Sequence, residues 1–250
     1  MTGAISLMNP QSFLSNSVRK LLGSLTHVVT TNAVLSLTFD DGPDPESTPK
    51  VLALLKKYQA YGTFFVVGQA AAAHPGLVQR IAAEGHAIGI HSWDHRAFPG
   101  LSSRERRRQI RKCERALQPY ASPLFRPPYG EQTVMSRLEA FMMGYEVVGW
   151  NLNSGDWYES QSSVMGNYLL EMVSPGGIVL FHDTLYDKGA PAHGVDPDHT
   201  SWPDRQAMLD ALETILERLS GSYRFVTVPQ LLQAGRPRRA FWFKPSLATA

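Results

Sequence analysis

Leu35-Ser36-Leu37-Thr38-Phe39-Asp40-Asp41-Gly42-Pro43-Asp44 is an apolar run that ends in two adjacent carboxylates and a Gly-Pro turn. The alternation of apolar residues from Val34 to Phe39 predicts a buried strand, and Gly42-Pro43 stops it, so both carboxylates stand on the strand's exit rim. Adjacent aspartates repel one another unless something separates their roles. A dication does so, because one carboxylate can ligate it while the other stays free as a base. Taken alone, the ten residues read more simply as an acidic turn closing a strand. What changes that reading lies downstream, at His91, His95, Arg126, Asp156 and His182.

Outward from this strand, the periodicity predicts repeated strand-helix units. Thr48 caps a helix carrying Val51, Leu52, Leu54 and Leu55, and Gly62 ends it before a strand over Thr63–Val67. Pro75 opens a helix running to Gly85, and the strand Ala87–Ile90 delivers His91-Ser92-Trp93-Asp94-His95. Ser102 caps a helix whose buried stripe is Ile110, Cys113 and Leu117, with Arg104, Arg106, Arg107, Arg108, Arg111 and Lys112 on solvated faces. Leu124-Phe125 is a short strand before Arg126-Pro127-Pro128-Tyr129-Gly130. A helix over Thr133–Met143, a strand over Glu146–Trp150, a helix over Ser162–Met172 and a strand over Ile178–Phe181 follow. The helix Arg205–Leu219, the strand Tyr223–Val226 and a helix begun at Val228-Pro229 complete the pattern. About seven strands, each followed by a helix, predict an α/β fold: a parallel barrel or strongly curved parallel sheet in a single domain.

The chain of 250 residues is long enough for such a barrel, and its formal net charge of +2 gives no argument for nucleic acid. Cys113 is the single cysteine, which excludes an internal disulfide framework and a cysteine-based zinc site. Residues 1–31 read as an N-terminal arm, with an amphipathic helix over Asn16–Val29. Residues 32–234 read as the catalytic domain and 235–250 as a basic, aromatic tail. Arg19 and Lys20 interrupt any signal-peptide pattern and no apolar run has the length of a spanning helix, so the expected location is the cytoplasm. The tail segment Gly235–Lys244 mixes cations with aromatics. It is expected to dock on the barrel, with peripheral membrane contact as the sharper alternative.

In a parallel β/α barrel every strand ends on one face, so residues just past strand ends converge however far apart they lie in sequence. Asp40 and Asp41, His91 and His95, Arg126, Asp156, and His182 follow five different predicted strands. Each alone would be weak evidence; together they predict an active site. His91 and His95 are four residues apart, and with one carboxylate of the aspartate pair they make a two-histidine, one-carboxylate ligand set with an open position. The same set binds iron(II) in oxygenases, but a second carboxylate and a third histidine favour hydrolysis, with His182 as acid and Asp156 orienting it.

These motifs resemble those of the polysaccharide deacetylases, the NodB-type carbohydrate esterases. The resemblance runs from Val34 to Leu232 through Thr38–Pro43, His91–His95, Arg126–Gly130, Asp156-Trp157 and Val179–His182. It implies a deformed (β/α)7 barrel and a divalent metal, zinc first, with cobalt or nickel as alternatives. By position it implies Asp41, His91 and His95 as metal ligands, Asp40 as general base paired with Arg126, and His182 as general acid tuned by Asp156. The Tyr129 N–H would help hold the oxyanion beside Pro127, and Trp157 and Leu180 would wall the pocket for the acetyl methyl. Trp93, Tyr129 and Trp157 are candidates for stacking on sugar rings. The expected activity is removal of N-acetyl groups from aminosugars of an oligo- or polysaccharide. The alternatives are hydrolysis of another C–N or ester bond, such as a non-sugar amide, a cyclic ureide or O-acetyl xylan, and a silent glycan-binding module. Three features depart from the family pattern: Asn153, where many relatives carry an aspartate; the long Thr184–Asp204 loop with Asp187, His193, Asp196, Asp198 and His199; and the Gly235–Lys244 tail. The loop reads as a substrate-selecting lid or a surface insertion, with a second metal site as a third reading.

Overall fold

Val34–Asp40 forms the strand that its alternation predicts and is buried along its whole length. The computed structural model describes Val18 and residues 22–186 and 204–241. In chain order the elements are β1 (Ser24–Val29), β2 (Val34–Asp40), α1 (Thr48–Lys57), β3 (Gly62–Val66), α2 (Gly68–Ala73), α3 (Pro75–Ala83) and β4 (Ala87–Ile90). Next come α4 (Ser103–Leu117), β5 (Ala121–Phe125), α5 (Val134–Met142), β6 (Glu146–Val147), β7 (Leu152–Asn153), α6 (Ser162–Met172) and β8 (Ile178–His182). The last elements are α7 (Arg205–Leu219), β9 (Arg224–Phe225), α8 (Val228–Gln233) and β10 (Arg236–Ala240).

The parallel strands follow the order β6-β5-β4-β3-β2-β8-β7, with β9 pairing β2 beside that path. This is a curled seven-stranded half-barrel, as the sequence predicts, and its strand ends share one mouth. Two strands differ from expectation. β7 comes from Leu152–Asn153, two residues too short for any periodicity to show, so Asp156 follows β7 rather than the end of Glu146–Trp150. The Tyr223–Val226 segment contributes only β9, off the main path.

Period-2 alternation divides β2 between two cores. Leu35, Leu37 and Phe39 pack outward against α1, α3, α4 and α7, joined by Val51, Leu55, Ile81, Ile110 and Leu212. Inside the curl, Val34 joins Phe65, Leu124, Val148 and Ile178, and this inner cluster is closed by Leu25 and Val28 of β1 with Val228 and Leu231 of α8. Above Val34 on the same face stand Ser36, Thr38 and Asp40, all buried, so the interior turns polar toward the mouth.

The N-terminal helix expected over Asn16–Val29 is overturned for its second half. Ser24–Val29 is a strand paired antiparallel with β10, bulged between Leu25 and His27. The apolar residues Leu25 and Val28 serve the inner core from that strand, and the intervening polar residues made the spacing look helical. The pairing also accounts for Arg236–Ala240 of the tail; residues 242–250 lie outside the described residues. Arg106, expected on a solvated face of α4, is buried: its guanidinium bonds Glu139 of α5 at 2.7 and 3.0 Å. Within the described residues, no helix is long and apolar enough to cross a membrane.

Candidate active site

The donor side of the mouth comes from β2 and β4. Asp41 leaves β2 in the left-handed region, with φ 80°, and its N–H bonds the Phe65 carbonyl at 3.2 Å. Ser92, His95 and Tyr129 also have φ between 59° and 68°, so four of the five non-glycine residues with positive φ among the described residues surround this mouth. Strained backbone of this kind persists where the surrounding structure fixes it, and it gathers at functional sites.

The Nε2 atoms of His91 and His95 lie 3.4 and 3.1 Å from Asp41 Oδ1. The donor atoms of the three residues all fall within 4.8 Å of one another. Asp41 Oδ2 accepts the Tyr186 N–H at 3.1 Å, whereas Oδ1 is buried and has no hydrogen-bond partner among the described residues. His91 Nδ1 sits 2.8 Å from the Arg126 carbonyl, so in the neutral ring Nδ1–H donates there and Nε2 turns a lone pair toward Asp41. A lone pair and a carboxylate oxygen facing each other in a buried site call for a cation. Burial pushes the Asp41 carboxyl up, but His95 and His91, when protonated, together with His182, hold it well below the usual carboxylate range. A divalent ion meets the same need, so the donor set fits a catalytic metal with an open position.

Asp40 stands beside this set, with Oδ2 3.7 Å from His91 Nε2, and Arg126 holds its other oxygen. The fully buried guanidinium donates to Asp40 Oδ1 at 2.6 Å, Thr38 Oγ1 at 2.9 Å, and the Val148 and Gly149 carbonyls at 3.1 and 2.9 Å. It lies over the Phe65 ring at 4.1 Å, which seats it on the inner core. Burial lowers the Arg126 pKa, and Asp40 opposes that shift. Two neighbouring carboxylates thus have different main partners: Asp40 is bonded by an arginine and only approached by His91, whereas Asp41 lies between two imidazoles.

Across the mouth, β8 ends in His182, paired in register with Asp40 of β2. His182 Nδ1 is 2.9 Å from Asp156 Oδ1, and the His182 N–H donates to Asp156 Oδ2 at 2.8 Å. Ser154 donates to Oδ1 at 2.9 Å, and Arg205 donates to Oδ2 at 3.0 Å. Burial would lower His182 but the Asp156 charge outweighs it, so the histidine is raised. Burial would raise Asp156, and His182 with Arg205 holds it low instead.

The Trp157 ring stands edge-on to His182, 5.4 Å between centroids. Leu180 lies two residues before His182 on the same face of β8. Tyr129 sits in a tight turn after buried Pro127, where the Gly130 N–H bonds the Pro127 carbonyl at 3.0 Å, and its ring lies 4.6 Å from His95. Asn153 accepts the Gly155 N–H at 3.0 Å, a turn contact that leaves Asp156 to His182. Trp93 lines a separate groove of about 460 Å³ beside Asp41, with Gln69, Ala73, His74 and Tyr186. One face of its ring is covered by Lys112, 3.7 Å from the centroid.

The structure gathers Asp40, Asp41, His91, His95, Arg126, Tyr129, Asp156, Trp157 and His182 at one mouth, whereas Trp93 stands in the neighbouring groove. Sequence reasoning missed Arg205 and Asp183. Arg205 follows the long loop with no local motif, whereas Asp183 directly follows His182 and could have been noticed. Asp187, His193, Asp196, Asp198 and His199 lie outside the described residues.

A curled β/α barrel whose strand ends set two histidines and a carboxylate against a partly buried histidine held by a buried carboxylate defines a hydrolase-like class of site. Residues 27–148 match the polysaccharide deacetylase family. A peptidoglycan-N-acetylglucosamine deacetylase of Bacillus cereus is 35% identical over 211 residues, covering 83% of this chain and 71% of the relative. The peptidoglycan-N-acetylglucosamine deacetylase PgdA of Listeria monocytogenes is 34% identical over 214 residues; the match covers 82% of this chain and 41% of that relative's length. The crystal structure of the Bc1960 peptidoglycan N-acetylglucosamine deacetylase superposes with a TM-score of 0.74 at 31% identity, covering 92% of this chain and all of that one. The chain belongs to the polysaccharide deacetylase family.

Proposed function

We propose that this protein is a divalent-metal-dependent hydrolase that removes N-acetyl groups from aminosugars in an oligo- or polysaccharide, with a peptidoglycan-type glycan as the first substrate class to test. The observation that carries the reading is the unpartnered Asp41 Oδ1 between two imidazoles, within one mouth with the Asp40–Arg126 and Asp156–His182 pairs. Held by Asp41, His91 and His95, the ion supplies Lewis acidity and brings the pKa of water toward neutrality. Zinc suits this ligand set, and cobalt or nickel would also be accepted.

The remaining chemistry belongs to the chain. Asp40, oriented by Arg126, takes a proton from the attacking water. The Tyr129 N–H, presented by the turn after Pro127, donates to the oxygen that gains charge as the amide carbonyl becomes tetrahedral. His182, held through Nδ1 by Asp156, delivers a proton from Nε2 to the departing amine, without which an amide does not expel its sugar. Leu180 and Trp157 bury the acetyl methyl and favour a short acyl group.

Acetate and free amine should appear when zinc-loaded protein meets N-acetylglucosamine oligomers or peptidoglycan fragments, and vanish after chelation. Acetate release from acetylated xylan alone would move the assignment to ester hydrolysis. No release from any of these substrates, with no zinc uptake, would favour a silent glycan-binding module.

A further inference from the structure

One buried carboxylate at the mouth has no part in this chemistry. Asp183 follows His182 and is fully buried. It lies in the bend just past the end of β8, and its carboxylate meets the turn at the β2 exit, while the His182 side chain bonds Asp156. Asp183 Oδ1 accepts the Gly42 N–H at 3.1 Å, and Oδ2 accepts the Thr48 hydroxyl. Thr48 does not cap α1 through its side chain as the sequence suggested. Its Oγ1 instead accepts the Asp44 N–H at 2.8 Å while its proton goes to Asp183. A Cβ at position 42 would fall 2.1 Å from Asp183 Oδ2 and 2.5 Å from Oδ1, so only glycine lets the carboxylate lie this close to the backbone. The Val67 N–H closes the other side by bonding the Gly42 carbonyl at 3.1 Å.

The segment held in this way begins at Asp41, whose left-handed backbone is costly for a residue with a side chain. That conformation aims Oδ1 at His91 and His95. We propose that Asp183, acting through Gly42 and Thr48, is a positioning residue that holds the Asp41 turn in the geometry that ligates the metal. The inference rests on the reading of Asp41, His91 and His95 as the metal site. Partners behind a ligand set its orientation, and their removal commonly costs about 10 to 100-fold in metal affinity.

The test is zinc affinity, measured by competition with a chromophoric chelator on the full chain, for wild type, Asp183→Ala, Asp183→Asn and Thr48→Val. Circular dichroism of the stripped proteins establishes that each folds. Asp183→Ala should lose about 10 to 100-fold in affinity. Asp183→Asn should stay within a few-fold of wild type, since its Oδ1 can accept from Gly42 and its Nδ2 can donate to Thr48. Thr48→Val removes one of the two anchors and should lose a smaller factor; it carries the test should Asp183→Ala fail to fold. Wild-type affinity in folded Asp183→Ala and Thr48→Val would overturn the inference alone. An Asp183→Asn loss equal to that of Asp183→Ala would overturn it in favour of a pure charge effect. Wild-type protein that takes up no zinc would overturn the metal reading together with this inference.

Discussion

Asp156 and Asp183 flank His182 and are both fully buried, yet their surroundings drive them in opposite directions. Asp156 sees two cationic groups, His182 and Arg205, and its carboxyl is held low against the effect of burial. Asp183 sees a backbone N–H and a hydroxyl, and burial, with the Asp41 charge adding to it, pushes it up to about 7. Each accepts well-formed hydrogen bonds, so the count of bonds does not decide the outcome. In a buried site the charge of the partners does. The acid side of the mouth is thus complete within the protein, while the donor side leaves an acceptor on Asp41 waiting for a cation.

The comparison breaks most visibly at Asp156. Asp156→Asn keeps the shape but removes the charge that raises His182, so turnover should fall by about 10² to 10⁴-fold, the range a general acid contributes. Zinc affinity should stay within a few-fold, and steady-state kinetics with chelator competition on the same preparation checks both. Should zinc affinity collapse instead, the acid and donor sides are not separable. The alkaline limb of the pH profile should also move down, because His182 then loses its proton at lower pH. Arg205→Gln should move that limb the other way, since Asp156 would keep more of its charge for His182. Its cost in turnover should be about ten-fold, the size expected for one hydrogen bond to a charged group. Both limbs will report coupled groups rather than single residues. An Arg205→Gln limb that shifts down would show that the guanidinium serves only to anchor the start of α7.

The parts of this site legible in the sequence are those where chemistry and element end are adjacent in the chain. Thr38–Pro43 and His91–His95 each carry a strand, its stop and its polar residues within a few positions, so both the element and its purpose could be read. Asp156 was found although its strand was not, because β7 is only Leu152–Asn153 and two residues show no period. The α2 segment Gly-Gln-Ala-Ala-Ala-Ala has no alternation of polar and apolar residues, and no helix was expected there. Arg106 looked solvated because a helix pattern seen alone cannot show the glutamate that a neighbouring helix brings to it. Thr48 looked like a cap for the same reason, its acceptor being 135 residues away. Contacts across the barrel were invisible where no motif marked them, which is why Arg205 and Asp183 entered only with the structure.

The smallest expected effect sharpens the comparison through stability. His182 is raised, so its contribution is fully present below the unfolded value of about 6.5 and is lost as pH rises through its higher folded value. Asp156 is lowered, so its contribution is fully present above about 3.9 and is lost as pH falls through its lower folded value. The pair therefore supports the fold best between about pH 4 and 6.5. Asp183 runs the other way: unfolded, it ionises near pH 3.9, while folded it resists until about pH 7, so its ionisation drains stability across that interval. In metal-stripped protein, Asp183→Asn should consequently gain on wild type as pH rises from 4 to 8, by a few kcal/mol at the upper end. Urea unfolding of both proteins at the two pH values measures the difference. An advantage that is constant with pH would mean that Asp183 ionises in the folded protein as easily as in the unfolded chain. The contrast with Asp156 would then lie in geometry and not in charge.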